Sequence, residues 1–455
     1  MAESQAPQTA QLNDRIEHPP GFRARRGLNW GILGLMYASY YMCRYNFDWA
    51  SPDIRKEFGF NYTQITQILG CWFWAYGFGQ LINGLFTDRI GGRKAMLIGA
   101  IATIILNVAF GAASYAGTFG TFAMIWLFSG YFQAFGAPGM IKINAAWFGR
   151  RERGTFAGIF GFMIQLGRFC INQLAPALIG GITILVWTVP ALHWRWLFWV
   201  PPMFMAIIAV LLALFVKETP EEVGFDHVHL GDPEESGEGV RVSLKESFLT
   251  IARHPLVWFY AAAYACTGAV RHGADKLAIL YFVDELGLTR QMPAVKWTSQ
   301  LMPLVAVLGS LGSGIISDRV FKGHRSPVAM TLYFLETAAI LTAVLLIEGL
   351  GLRSVFLSCL YLIVISLTAN STHSIVGAAA PMDIGGRKMA GFASGVIDSF
   401  QYFGAGIAVP FMGKLLDRFG WASWFPTMAG FGALGGCAML LVMRRQKLLK
   451  HAVTK

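Results

Sequence analysis

Five basic side chains sit where hydrocarbon is expected. Arg44, Lys142, Arg168, Arg271 and Lys276 lie inside apolar stretches of the 455-residue chain, while the other 32 of its 37 lysines and arginines fall in polar segments. A cation in lipid costs several kcal/mol, so each must face a cavity, a partner or a solute. The acids in such stretches are Asp48, Asp275, Glu336 and Asp398, with Glu348 at the edge of one. Asp48 is one helical turn from Arg44. Asp275 is one turn from Arg271 and can neutralise it, or can reach Lys276 through a neighbouring helix. For Arg168 and Lys276 a structural partner competes with a binding role. Arg44 and Arg271 differ, because they occupy matching places in two related halves, 227 residues apart. Two guanidinium forks converging from opposite walls suit a doubly charged tetrahedral oxyanion such as phosphate. The expected solute is a small anion.

Polar and aromatic residues supply the rest of such a cavity. Tyr37, Tyr41 and Arg44 share one helix face by their spacing. Trp72, Trp74, Tyr76 and Gln80 follow on the next stretch, where aromatics serve packing as readily as binding. The run Asn370-Ser371-Thr372-His373-Ser374 is costly in hydrocarbon, and His373 suits either a proton or a solute hydroxyl.

The elements that must position these residues follow from composition. Only 14 % of residues are charged and 55 % are hydrophobic, too few charges for a water-facing surface. About 20 apolar residues cross a bilayer, and twelve such spans are expected: 28–50, 62–86, 95–115, 119–147, 154–182, 196–216, 256–283, 297–317, 328–349, 355–380, 389–413 and 423–443. The expected organisation is a tail over 1–27, a six-helix bundle over 28–216, a central loop over 217–255 with a short amphipathic helix near 243–253, a second bundle over 256–443, and a tail over 444–455. With both termini inside, inner segments hold 24 lysines and arginines and outer loops 8, which orients both tails to the cytoplasm. That distribution explains the net charge of +11 without nucleic acid. The six cysteines form no CxxC pair or Cys/His cluster, so no disulfide, metal or cofactor is expected. The polar first 27 residues read as a tail and not a signal peptide.

Gly84-Leu-Phe-Thr-Asp88-Arg89, with Arg93 and Lys94 beyond, returns 230 residues later as Gly314-Ile-Ile-Ser-Asp318-Arg319, followed by Lys322 and Arg325. Gly154 and Gly391 open matching spans 237 residues apart. Parallel halves of this kind place a solute site at their interface near mid-membrane. In the repeated motif the glycine permits close helix approach, and Asp88, Arg89, Arg93, Asp318 and Arg319 are placed to latch one side by charge pairs and helix-end dipoles. A plain basic anchor is the competing reading. Gly413 with Asp417-Arg418 has the same spelling on the outer side and is expected to be incidental.

The doubled Asp-Arg motif and twelve-span layout resemble the major facilitator superfamily. Within it, Tyr40-Tyr41-Met-Cys-Arg44-Tyr-Asn46-Phe, Ala75-Tyr76-Gly77, the Gln133-Ala-Phe-Gly136-Ala-Pro138 run with Lys142, and Thr219-Pro220-Glu-Glu-Val-Gly224 resemble the organophosphate:phosphate antiporters. The resemblance implies an all-α membrane protein of two pseudo-symmetric six-helix bundles. It also implies that Arg44 and Arg271 bind phosphate, that Lys142 is the basic residue of span four, and that an organic phosphate is exchanged for inorganic phosphate. Three places depart from the family pattern. Gln80 stands where many members carry lysine, Ile164 near the place of a family histidine, and Arg168 where glycine is usual.

The leading expectation is therefore a monomeric carrier in a bacterial inner membrane, with Arg44, Arg271, Lys142, Arg168, Lys276, Tyr37, Tyr41, Tyr76, Gln80 and His373 around the solute. Proton-coupled uptake of a carboxylate or sugar acid is the first alternative, and a membrane sugar-phosphate sensor the second. No P-loop, metal cluster or nucleophile–base pair suggests an enzyme.

Overall fold

The computed structural model describes residues 19–148, 153–184, 187–225, 255–321, 325–352 and 354–453. The expected helix near 243–253 and Lys322 lie outside the described residues, as does the side chain of Asp318. The first bundle consists of α1 (Phe22–Phe58), α2 (Tyr62–Ile90), α3 (Gly92–Ala112), α4 (Phe119–Gln133), α5 (Gly136–Trp147), α6 (Arg153–Gly180) and α7 (Trp196–Phe215). The second consists of α8 (Pro255–Leu280), α9 (Pro293–Arg319), α10 (Arg325–Ala343), α11 (Val355–Phe419) and α12 (Trp424–Val453). Local chemistry sets the boundaries. Asn61 caps α2 in a reciprocal box with Gln64, and Gly91, at φ 92°, turns the chain from α2 into α3.

Three features differ from the expected spans. The fourth span is two helices, broken at Ala134–Phe135 between Gln133 and Gly136. The tenth and eleventh spans share one unbroken run of helical backbone, α11, of 65 residues. His373 and Asp398 nevertheless both interact with Tyr264 of α8. A straight helix would hold residues that far apart in sequence about 37 Å from each other, so the chain doubles back between them and crosses twice. Third, a small antiparallel hairpin, β1 (Ile182–Ile184) with β2 (Trp187–Val189), follows α6; the rest of the described secondary structure is helical, and the fold remains that of an all-α membrane protein.

Composition sorts the twelve crossings. Among the described residues, α3, α7, α9, α10, the first crossing of α11 and α12 are apolar enough to span by composition alone. They present rows such as Ile98, Ile101 and Ile105 of α3, or Leu304, Leu308 and Leu311 of α9, to the outside, as a lipid-facing helix should. The other crossings hold the buried cations Arg44, Arg168, Arg271 and Lys276, and the bundles meet through α1 with α8, α2 with α11 and α6 with α9.

The seam is fastened at the end opposite the tails, here termed the far end. Arg290 grips Asp53 through two nitrogens at 2.6 and 2.7 Å, and Arg55 pairs with Asp284 at 2.9 Å. Asp417 of α11 accepts hydrogen bonds from the Tyr62 and Thr63 amides at 2.9 and 2.8 Å, so it caps α2 across the seam. A Cβ on Gly413 would strike Thr66. Asp417, expected to be incidental, is thus a cross-bundle latch that a linear reading cannot pair with α2. The tail-end copies behave oppositely: Gly84 and Gly314, expected to sit at close helix contacts, would meet nothing within 4 Å of an added Cβ. Asp88, Arg89 and Arg319 are exposed. Among the described residues, no bond from Asp88, Arg89 or Arg319 crosses the seam at the tail end.

Candidate functional site

Arg44 and Arg271 project from α1 and α8 into the seam and are 4 % and 6 % exposed. Arg44 is boxed by aromatic faces, its guanidinium carbon lying 4.4 Å from the Tyr41 ring centre and 4.5 Å from those of Trp72 and Tyr76. Such rings stabilise a cation without cancelling its charge. Its Nε donates to Gln133 Oε1 at 3.1 Å, and Gln133 is itself held by Ser129 at 3.0 Å. Arg271 Nη1 donates to Gln401 Oε1 at 3.3 Å, while its Nε has no protein partner. The α8–α11 approach that permits this contact is backbone-close: a Cβ on Gly268 or Gly404 would collide with Gln401 or Ala265. Tyr41 interacts electrostatically with both arginines, as does Asp398. The two cations thus share Tyr41 and Asp398 as neighbours, and each is oriented by a neutral glutamine amide.

The other buried cations are neutralised, and not in the way helical spacing suggests. Asp275 pairs with Arg168 at 2.7 Å and not with Arg271. Asp48 pairs with Lys276, both carboxylate oxygens lying 3.1 Å from Nζ, and not with Arg44. Both pairs cross the seam, with side-chain exposures of 2 to 4 %. Tyr45 lies under both cations, its ring centre 3.7 Å from Lys276 Nζ and 4.8 Å from the Arg168 guanidinium carbon. Arg168 and Lys276 thus sit beside the arginine pair but are occupied by carboxylates.

Lys142 is elsewhere. Its Nζ donates to the Thr87 and Asp88 carbonyls at 3.0 and 2.7 Å, with the Asp88 carboxylate 4.0 Å away. It caps the C-terminus of α2 at the tail end. Nine residues, a rise of about 13 Å along a helix, separate Lys142 from Gln133, so Lys142 lies beyond the Arg44 level and Gln133 takes the place at the arginine. Arg93 also stays at the tail end, donating to the Val216 carbonyl at 3.2 Å. There Glu218 accepts from the Gly92 and Arg93 amides at 3.0 and 2.7 Å and caps α3.

Around the arginines, Tyr76 stacks on Trp72 at 4.7 Å and meets Tyr402 at 4.4 Å. Tyr37 lies 5.5 Å from Tyr41, and Gln80 is half-buried one turn beyond Tyr76. His373 Nδ1 is 2.7 Å from the Tyr264 hydroxyl, with the rings stacked. Four residues were not singled out from sequence: Gln133, Gln401, Tyr402 and His272. His272 packs between Phe73 and Tyr402, and neither ring nitrogen has a protein partner. The available signal was the one used for the cations, a polar side chain inside an apolar span, applied too narrowly to charge.

Two helical bundles meeting on a buried cationic seam, clad in apolar rows, define a polytopic membrane carrier fold. The sequence profile of the Major Facilitator Superfamily matches residues 33–409, and the chain belongs to that superfamily. Among curated relatives it is 28 % identical to the glycerol-3-phosphate transporter of Bacillus subtilis (strain 168), covering 98 % of both chains. It is 25 % identical to the membrane sensor protein UhpC of Escherichia coli (strain K12), covering 94 % of this chain and 95 % of that one. A probable hexose phosphate transport protein of Chlamydia pneumoniae is 26 % identical, over 90 % of this chain and 88 % of that one. Among solved structures the fold matches a bacterial homolog of the human lysosomal transporter Spinster, in its inward-facing, unoccupied conformation. That match has a TM-score of 0.71 at 15 % identity and covers 94 % of this chain and 98 % of that one.

Proposed function

We propose that this protein carries a small phosphorylated solute across the bacterial plasma membrane and exchanges it for inorganic phosphate by alternating access, with both tails cytoplasmic. One observation carries the reading. Of the four cations buried at mid-seam, Arg168 and Lys276 hold carboxylates, while Arg44 and Arg271, from opposite bundles, hold only glutamine amides. Two guanidinium forks held by neutral amides, with Asp398 offsetting part of their charge, favour a dianionic oxyanion. The organophosphate transporters among the relatives support a phosphate ester as the second substrate. Bound anion relieves the repulsion between the arginines, so the loaded carrier reorients and the empty one does not.

The test is exchange in proteoliposomes loaded with phosphate. Labelled phosphate uptake should require internal phosphate or a phosphate ester and should be lost in Arg44→Ala and Arg271→Ala. Uptake driven by a pH gradient with empty vesicles would sink the exchange reading. The similarity to a membrane sensor favours a second reading, in which the same site binds a sugar phosphate and reports it to a partner. Tight binding by folded protein with no exchange would select it.

A further inference from the structure

The geometry points to a proton-binding site inside the second bundle: His373, Tyr264 and Asp398 form a relay that loads one proton onto the carrier together with the anion. The inference rests on the reading that Arg44 and Arg271 hold the anion, and it adds a proton to what is carried. The proton travels with each anion in either direction, so exchange stays obligatory.

The polar run at 370–374 divides into two uses. Asn370, Ser371 and Thr372 turn their side chains back to carbonyls four residues earlier, at 2.7, 2.8 and 3.0 Å. Their own helix satisfies them. His373 is directed to another helix instead, with Nδ1 2.7 Å from the Tyr264 hydroxyl of α8. Gly377, one turn further on, leaves the space this needs, since an added Cβ would stand 2.8 Å from the same hydroxyl. Asp398, on the return crossing of α11, also interacts with Tyr264. The tyrosine is 2 % exposed, whereas His373 and Asp398 are half-buried. The relay thus has a dry middle and two ends that are partly open.

Three groups in a row make two hydrogen bonds and need two protons, of which the tyrosine hydroxyl supplies one. The second sits on His373 Nδ1 or on Asp398. With it on Nδ1, the tyrosine donates to an ionised Asp398, which offsets the charge of Arg271. With it on Asp398, the carboxyl donates to the tyrosine oxygen, the tyrosine donates to Nδ1, and Arg271 keeps its full charge. Asp398 stands three residues before Gln401, the side chain that holds Arg271, so both lie on one face of α11. The other charged or titratable groups facing the relay are Arg271 and His272 of α8, Tyr333 of α10, Tyr402 of α11, and Arg44 and Tyr41 of α1.

An anion arriving at the arginines disfavours a second negative charge beside them. Tyr264 then passes its proton to Asp398 and receives the Nδ1 proton of His373, whose Nε2 takes a replacement from water. The balance is one proton taken from solution and one carboxylate neutralised. Tyr264 lies seven residues before Arg271 on α8, about 10 Å toward the tail end, so the relay takes its proton on that side of the arginines.

The first experiment measures binding of labelled inorganic phosphate to purified full-length protein from about pH 6 to about pH 8. Phosphate's own ionisation is common to all variants and cancels in a ratio of dissociation constants. Asp398→Asn fixes the neutral form. Wild type should therefore match this variant to within about twofold at the acid end and bind at least about fivefold more weakly than it at the alkaline end. A ratio that stays constant, or moves the other way, overturns the inference.

The second experiment needs no phosphate. Infrared difference spectra of a pH jump report the C=O band of a protonated carboxyl. That band should titrate in wild type, vanish in Asp398→Asn, and shift in frequency in Tyr264→Phe. His373→Gln, which keeps a polar partner for the tyrosine but cannot take up a proton, should displace its pH midpoint. A band indifferent to Tyr264 and His373 overturns the relay. If wild type binds no phosphate, the anion reading fails alone, and the infrared titration still decides whether the three groups share a proton.

Discussion

Gln133 Oε1 accepts the hydrogen bond of Arg44 Nε at 3.1 Å, so the arginine is fixed in place by a side chain that carries no charge. A neutral holder orients the fork and leaves its charge for a ligand. Gln133→Glu replaces that holder with a nearly isosteric anion and should weaken phosphate binding on the order of a hundredfold. Gln133→Ala loses orientation alone and should weaken it by about tenfold or less. Isothermal titration with phosphate separates the two, and a Glu variant milder than the Ala variant would contradict the role.

Lys142 is bonded to the end of α2. Lys142→Ala should leave the phosphate dissociation constant within about twofold. It should lower thermal stability by about 1 kcal/mol, through loss of hydrogen bonds to the last carbonyls of α2. Thermal unfolding and binding on the same preparation check this. A binding loss as large as that of Arg44→Ala would return Lys142 to the site.

Arg290 joins Asp53 and the Trp49 carbonyl across the seam. Arg290→Ala should loosen the far end. A cysteine at buried Ser299 should then react several-fold faster with an impermeant thiol reagent added from that side. An unchanged rate would show that the remaining fasteners suffice.

Asp417 caps the first turn of α2. Asp417→Ala should cost about 1 kcal/mol of stability and, like Arg290→Ala, raise far-end reactivity. Gly413→Val, which thrusts a branched side chain at Thr66, should produce the same opening with Asp417 still present. Reactivity unaltered in both variants would remove Asp417 and Gly413 from the far-end latch.

Much of this architecture was legible in the chain. The repeat that puts Arg44 and Arg271 at matching positions announced that both lie buried at the seam beside Tyr41 and Asp398, because two related bundles can meet only along one seam. Their partners were not legible. Periodicity relates residues on one helix, so it offered Asp48 to Arg44 and Asp275 to Arg271, whereas the structure pairs both acids across the seam. Lys142 was misplaced for a different reason: it lies nine residues beyond Gln133, about 13 Å along a helix and on the opposite face, so it cannot share the Arg44 level, and Gly136 and Pro138 mark the break between them. Glu218 and Asp417 were missed as caps because each serves a helix far from it in sequence.

The Gly-x-x-x-Asp-Arg spelling occurs three times, at 84–89, 314–319 and 413–418. Among the described residues the copy at the far end bonds across the seam, whereas Gly84 and Gly314 at the other end lie against no neighbour. If the tail-end copies engage in the same way when that end closes, like chemistry at both ends would give the carrier no built-in preference for import or export, and the gradients it meets would set the direction of net movement.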